Sequence, residues 1–346
     1  MKNLQRRPLG AAVSALLLLA CGTSSSSGET GHGASGGSSA TGDGGYGGVD
    51  MTAAGGAVTG GAASGGTGGV GGGDRGAPLA TVEFETSYDS FGNAHAIAGV
   101  EPAAGGAYPL FIYVVGTNGQ YDAEHAQVWL DFMAPRGFVA ATVDYTNGLF
   151  TGCGTLHSRA AAIFEDVPDT AATVLCARPN TDCSKGIVVA GHSQGSLIAL
   201  LAKDHNAEVK GAVPTGSGYR LFGALPNFEN CIVTERVLAN EAIRVVTGAS
   251  DPVWGNTEAK AEQLDAMTGM SCGLDDACVD DDGHGWFLVA DSAVADGNAD
   301  HCYFSDTTSS NGEDACQQPI DPAWLLPSTP WGLPAAAEFL ITLTAP

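Results

Sequence analysis

The chain has 346 residues, a formal net charge of −24, 50 glycines and nine cysteines. That acidity argues against electrostatic binding of nucleic acid or anionic lipid, which carry the same sign of charge. Its simpler reading is solubility.

The first residues read as an export signal rather than as structure. Lys2, Arg6 and Arg7 give a basic start, and Leu9–Ala20 an apolar run of 12 residues. A bilayer span needs about 20 residues, so this run is too short to cross one. It ends in Leu18-Leu19-Ala20-Cys21, which resembles the lipobox of bacterial lipoproteins. The resemblance implies cleavage after residue 20 and lipidation of Cys21; a plain secretory signal is the alternative. Residues 21–77 are glycine, serine, threonine and alanine with almost no large apolar side chain. Such a tract cannot offset its chain entropy by burial, so a disordered tether is expected. A glycine-rich coil of this length has an end-to-end distance of roughly 40 Å.

From residue 78 to 346 the pattern is that of one larger domain. Ala80–Ser87 and His95–Val100 suggest a leading antiparallel pair. Leu110–Val115 reads as a buried strand, followed by the loop Gly116-Thr117-Asn118-Gly119. Ala123–Met133 places Ala126, Trp129, Leu130 and Met133 on one helical face, with Gly137 suited to its end. Phe138–Asp144 is the next strand. Pro168 marks a helix start, with Asp166 as a nearby cap, and that helix runs through Leu175. Ile187–Ala190, Val209–Val213, Ala242–Val246 and Trp286–Ala290 are further strands. Helices are expected over Ser196–Lys203, Glu258–Met267 and Pro334–Leu343. Strands alternating with helices argue for an α/β fold with a mainly parallel central sheet covered on both faces.

Between the strand at 187–190 and the helix from 196 lies Gly191-His192-Ser193-Gln194-Gly195. Strand, G-x-S-x-G and helix together resemble the nucleophile elbow of the α/β-hydrolases. The motif alone means little in so glycine-rich a chain, and it recurs at Gly33-Ala34-Ser35-Gly36-Gly37 with neither strand nor helix around it. For Ser193 the plainer alternative is an ordinary strand-end turn. The resemblance implies the α/β-hydrolase fold and a chain order of serine, then acid, then histidine.

A serine hydroxyl is a weak nucleophile unless a base takes its proton and a carboxylate orients that base. Asp251 follows the strand at 242–246, and Gly248-Ala249-Ser250-Asp251-Pro252 resembles the Gly-x-x-Asp-Pro turn common in these enzymes. A turn or capping aspartate is its alternative role. Asp275, Asp276, Asp280, Asp281 and Asp282 crowd one loop without the alternating spacing of an EF-hand, so a solvated acidic loop is expected there. Of eight histidines, His284 and His301 lie late enough to be the base. His284 precedes the last strand and falls at the wrong end of the sheet; His301 follows it. His192 is expected to pack or orient. For the oxyanion hole the resemblance implies the backbone N–H of Gln194 and one from the loop after the third strand. That second donor falls at Thr117, with Asn118 a close rival, in a loop that departs from the common His-Gly pattern.

Setting Cys21 aside leaves eight cysteines, none with the doubled C-x-x-C of a zinc site. Export makes disulfides the natural state. Short loops suggest Cys176–Cys183, Cys272–Cys278 and Cys302–Cys316, which leaves Cys153–Cys231, one of 105 pairings that eight cysteines allow. The expectation is an exported, lipid-anchored serine hydrolase of carboxylic esters, with no cofactor, metal or nucleic-acid partner and membrane contact only through the lipid. The rivals are a lipase or polyester depolymerase, a peptidase of the same fold, and a non-catalytic surface binding module.

Overall fold

The computed structural model describes residues 77–223, 226–305, 316 and 319–344. The expected signal, Cys21, nearly all of the tether and the second G-x-S-x-G copy lie outside them.

Nine strands of the described residues form one sheet, ordered β1-β2-β4-β3-β5-β6-β7-β9-β8. β1 (Thr81–Ser90) and β2 (Asn93–Pro102) are the antiparallel pair expected, each longer than its apolar alternation marks, and β2 then pairs antiparallel with β4 (Val139–Val143). From β4 the sheet is parallel through β3 (Leu110–Val114), β5 (Ile187–His192), β6 (Val209–Thr215), β7 (Arg244–Gly248) and β9 (Gly285–Val289). Every residue of β3, β4, β5, β7 and β9 is buried. Burial on both faces is why these strands read as continuous apolar runs rather than as alternation.

The helices α1 (Glu124–Met133), α4 (Gln194–His205), α5 (Thr257–Thr268) and α7 (Leu333–Thr342) match the expected segments within a few residues. Trp129 of α1 stacks on Phe111 of β3 with ring centroids 5.4 Å apart, and both are fully buried. Losing such a side chain to alanine costs about 3–5 kcal/mol.

Three local expectations need correction. α3 (Ala171–Cys176) begins later than Pro168, because Thr170 rather than Asp166 is its cap, accepting from the Thr173 N–H. α2 (Cys153–Phe164) has no counterpart in the sequence reading. Its first turn has no capping side chain, and its polar stretch His157-Ser158-Arg159 interrupts the apolar stripe although Arg159 is buried. The acidic segment is not all loop: Ala277–Val279 forms β8, a short edge strand antiparallel to β9. A further short helix, α6, spans Pro322–Leu325.

All four expected disulfides are formed: Cys153–Cys231, Cys176–Cys183, Cys272–Cys278 and Cys302–Cys316. In a parallel sheet the loops that follow the strands converge at the carboxyl end. There the turn after β5 meets the loops after β3, β7 and β9.

Candidate active site

Ser193 stands between the last residue of β5 and the first of α4, with φ 54° and ψ −120°. A non-glycine residue held there stores about 1–3 kcal/mol and needs the surroundings to enforce it. Two glycines make that possible. A Cβ at Gly195 would overlap the Val114 carbonyl of β3, and one at Gly191 would overlap the carbonyl of Gly195. The Ser193 N–H donates to Thr215 O of β6 at 2.9 Å, and its carbonyl accepts from Ser196 N–H at 3.0 Å. The strained turn is thus pinned by the neighbouring strand and by its own helix.

Asp251 lies three residues beyond β7 and its side chain is fully buried. Its Oδ1 accepts from Val253 N–H at 2.8 Å, and its Oδ2 lies 2.7 Å from His301 Nδ1. The carboxylate therefore fixes the Nδ1–H tautomer of His301, which leaves Nε2 to act as acceptor. Burial alone would lower the His301 pKa. The Asp251 charge and hydrogen bond, with Asp300 adding to them, outweigh burial and raise it above the ordinary value.

Further contacts hold this pair. Lys260 of α5, only 2% exposed, donates from Nζ to the carbonyls of Ala249 and Asp251, the latter at 2.8 Å. Burial lowers its pKa, against the pull of Asp251 and Asp291. Asp291 accepts from Ser250 Oγ at 2.9 Å and from Ala299 N–H at 2.8 Å, stitching the loop after β7 to the loop after β9. The two loops press together so closely that a Cβ on Gly248 would overlap the carbonyls of Ala299 and Asp300. The Cys302–Cys316 disulfide begins at the residue after His301.

His192 joins the two halves. Its ring centroid is 4.8 Å from that of His301 and 4.7 Å from Phe304. Burial, then the nearby His301 and His125, hold its pKa well below the ordinary value, so it packs as a neutral ring. Gly216 follows β6 beside both His192 and the His301 carbonyl, and its own carbonyl accepts from Trp254 Nε1 at 2.7 Å. Ser193 and the His301–Asp251 pair thus share one end of the sheet. No hydrogen bond from Ser193 Oγ to His301 is formed among the described residues. In enzymes without substrate such contacts are commonly long and tighten on binding.

His284 is placed differently. It precedes β9, with Nδ1 3.0 Å from Asp280 Oδ2 and Nε2 2.9 Å from Thr268 O. Both ring nitrogens face local partners at the amino end of the sheet, as the sequence order predicts.

The loop Gly116–Gly119 lies directly against Ser193: a Cβ on Gly116 would sit 3.0 Å from Ser193 Cβ. The Asn118 N–H donates to Asn147 O at 3.1 Å, so this rival oxyanion donor is already engaged. The Thr117 N–H makes no such backbone bond among the described residues. Gln194 opens α4, where the first N–H groups of a helix have no partner within it. Gln194 follows Ser193 in the chain, and Thr117 follows the glycine packed against it.

His192 Nε2, Cys302 and Cys316 bring possible metal ligands within 4.8 Å of one another. The two sulfurs are joined to each other, and a disulfide offers no thiolate to a metal. A cleft of about 360 Å³ lies elsewhere, lined by Phe91, Ala162, Val167 and Pro168 among others, and shares no residue with Ser193, Asp251 or His301. The contributions of Lys260, Trp254 and Asn147 were invisible in the sequence, since each acts across chain separations that carry no local signal.

No family model matches the chain, and no curated protein does. Among solved structures it is similar to a dienelactone hydrolase-like promiscuous phosphotriesterase from metagenomic libraries, at 15% identity and a TM-score of 0.50, over 78% of this chain and 100% of that one. A fungal esterase from Rhizomucor miehei aligns at 13% identity and a TM-score of 0.48, over 77% and 85% of the two chains. A dienelactone hydrolase-like protein of Klebsiella pneumoniae aligns at 20% identity and a TM-score of 0.38, over 56% and 83%. With a mostly parallel sheet of this strand order and helices packed on it, the fold is the α/β-hydrolase fold.

Proposed function

We propose that the protein is a serine hydrolase of carboxylic esters, with Ser193 as nucleophile, His301 as general base and Asp251 as the carboxylate that orients it. The observation that carries this reading is the 2.7 Å His301–Asp251 contact, made by a fully buried carboxylate at the end of the sheet that also holds the strained Ser193. Ser193 Oγ attacks the ester carbonyl while His301 Nε2 takes its proton. The N–H groups of Thr117 and Gln194 receive the negative charge on the carbonyl oxygen. His301 then returns the proton to the leaving alcohol, and the same steps with water release the acid from the acyl-enzyme.

The reading extends to location. The basic, apolar and Leu-Leu-Ala-Cys order of the first 21 residues supports export with a lipid on Cys21. Four disulfides are compatible with an extracytoplasmic protein. Among the described residues no helix is long and apolar enough to cross a membrane. A tethered esterase then acts on soluble or surface-bound esters within reach of the anchor.

Hydrolysis of chromogenic esters of increasing acyl length, set beside peptide amides, tests the activity. Short-chain esters are expected to turn over fastest, and Ser193→Ala to abolish turnover. A preference for long chains or polyester points to a lipase or depolymerase, and amide cleavage to a peptidase. No turnover of any substrate by the wild-type protein leaves a binding module on this fold.

A further inference from the structure

The side chain of Gln194 does something separate from its backbone N–H. It is fully buried, and its amide lies between the loop after β3 and the loop after β4. Nε2 lies 3.0 Å from Gly148 O and 3.2 Å from Thr117 Oγ1, and Oε1 lies 3.0 Å from Tyr145 OH. A carbonyl only accepts, so the nitrogen must face Gly148 and the amide has one orientation. Both N–H bonds are then spent, one on Gly148 and one on Thr117.

These partners are not equally dependent on Gln194. Gly148 O also accepts from Arg159 Nη1 at 2.9 Å. The Tyr145 hydroxyl is also 2.8 Å from Val115 O. Asn147 holds the rest of the loop after β3, donating from Nδ2 to Gly119 O at 2.7 Å and Gly116 O at 3.3 Å. Thr117 Oγ1 has Gln194 as its one hydrogen-bond partner among the described residues. Of everything the amide touches, Thr117 alone is left unheld if it is removed.

We propose that the Gln194 side chain is a positioning residue: it fixes the Thr117 side of the oxyanion hole to the same residue that supplies the hole's other donor. This rests on the serine-hydrolase reading above. The consequence is that the two backbone donors move as one unit, set by the elbow rather than by the loop. Here the loop departs from the His-Gly pattern, so the clamp comes from the elbow residue instead.

The test compares Gln194→Met, Thr117→Val, their double variant and Thr117→Ser. Each is measured for kcat and KM on a short-chain p-nitrophenyl ester and for affinity for an aryl boronic acid, which forms a tetrahedral adduct on serine. Rates are normalised to sites titrated with a fluorophosphonate, so unfolded protein does not count. Gln194→Met and Thr117→Val should each lower kcat about 10- to 100-fold, the scale of a misplaced reacting group. KM should stay within about threefold, because the interaction is made in the transition state. Boronic-acid affinity should fall in step with kcat. The double variant should be no worse than the poorer single one, as for two groups in one contact. Thr117→Ser, which keeps the acceptor oxygen, should fall less than Thr117→Val. Multiplying losses, or unchanged kcat in both single variants, would overturn the proposal. If Gln194→Met does not fold, equal rates for Thr117→Ser and Thr117→Val overturn it instead. Absence of fluorophosphonate reaction at Ser193 in the wild type refutes the enzyme reading itself, a result distinguishable from all of these.

Discussion

Among the described residues, two histidine–aspartate pairs lie late in the chain, His301–Asp251 and His284–Asp280, with N–O distances of 2.7 and 3.0 Å. Distance hardly separates them; their surroundings do. Asp280 is four residues from its histidine, and its side chain is 42% exposed on a turn before β9. Asp251 is 50 residues from its own, fully buried, and held by bonds from a lysine, a backbone amide and two stitched loops. The local pair spends both imidazole nitrogens on structure, since His284 Nε2 also faces Thr268 O. Among the described residues the distant pair leaves Nε2 of His301 without a hydrogen-bond partner, at the end of the sheet that also carries Ser193. A carboxylate beside a histidine is thus no sign of a base by itself; the proposal for His301 rests also on the burial of Asp251 and on the end of the sheet they share with Ser193.

The largest effects that sharpen this contrast come from removing the rings. His301→Ala should lower kcat by about 10⁴- to 10⁶-fold, as loss of a triad member does. His284→Ala should cost stability and leave most of the rate, read from esterase assays normalised to folded protein. Reversed effects would show that the last strand carries its site at the other end.

Neutralising the carboxylates is the next contrast. Asp251→Asn should lower kcat by about 10⁴-fold, by favouring the wrong tautomer. Asp280→Asn should leave the rate largely intact. The pH profile adds a sign. A base works when deprotonated, and His301 is held above its ordinary value by Asp251. Activity of the wild type should therefore rise with pH through a limb above about 6.5, the unperturbed histidine value. In Asp251→Asn the residual activity should show that limb moved to lower pH.

Smaller effects should follow from the two short disulfides that sit beside the pairs. Cys302–Cys316 closes a loop next to His301, and Cys272–Cys278 one next to β9 and His284. By loop-closure entropy each contributes about 2–3 kcal/mol. Replacing either pair with serine should lower the thermal midpoint by similar amounts. Turnover at a temperature where both variants are folded should fall only when Cys302 and Cys316 are replaced. Smallest of all, removal of residues 1–76 should change neither the midpoint nor the rate on a small soluble ester. Loss of either would show that the tract packs on the domain.

How much of this was legible follows from how local each signal is. The elbow is a contiguous strand, turn and helix, so Ser193 and both neighbouring glycines stood out. Asp251 was marked by the Asp-Pro turn, and His301 by its place after the last apolar run. Three disulfides followed from short spacing, and Cys153–Cys231, 78 residues apart, from what was left. β8 was hidden because three residues in an acidic segment show no alternation, and its pairing comes from β9. The clamp of Gln194 on Thr117 spans 77 residues, and the Trp254 bond to Gly216 spans 38. Contacts at such separations depend on the finished sheet, and no window of sequence holds both partners.

On the proposed reading Ser193 is the group activated by the distant pair. Reaction of the mature protein with a fluorophosphonate, followed by peptide mass analysis, tests it most directly. One adduct is expected, on the peptide containing Ser193, lost in Ser193→Ala and formed far more slowly in His301→Ala than in His284→Ala. An adduct on another residue, or labelling that persists in Ser193→Ala, would contradict it.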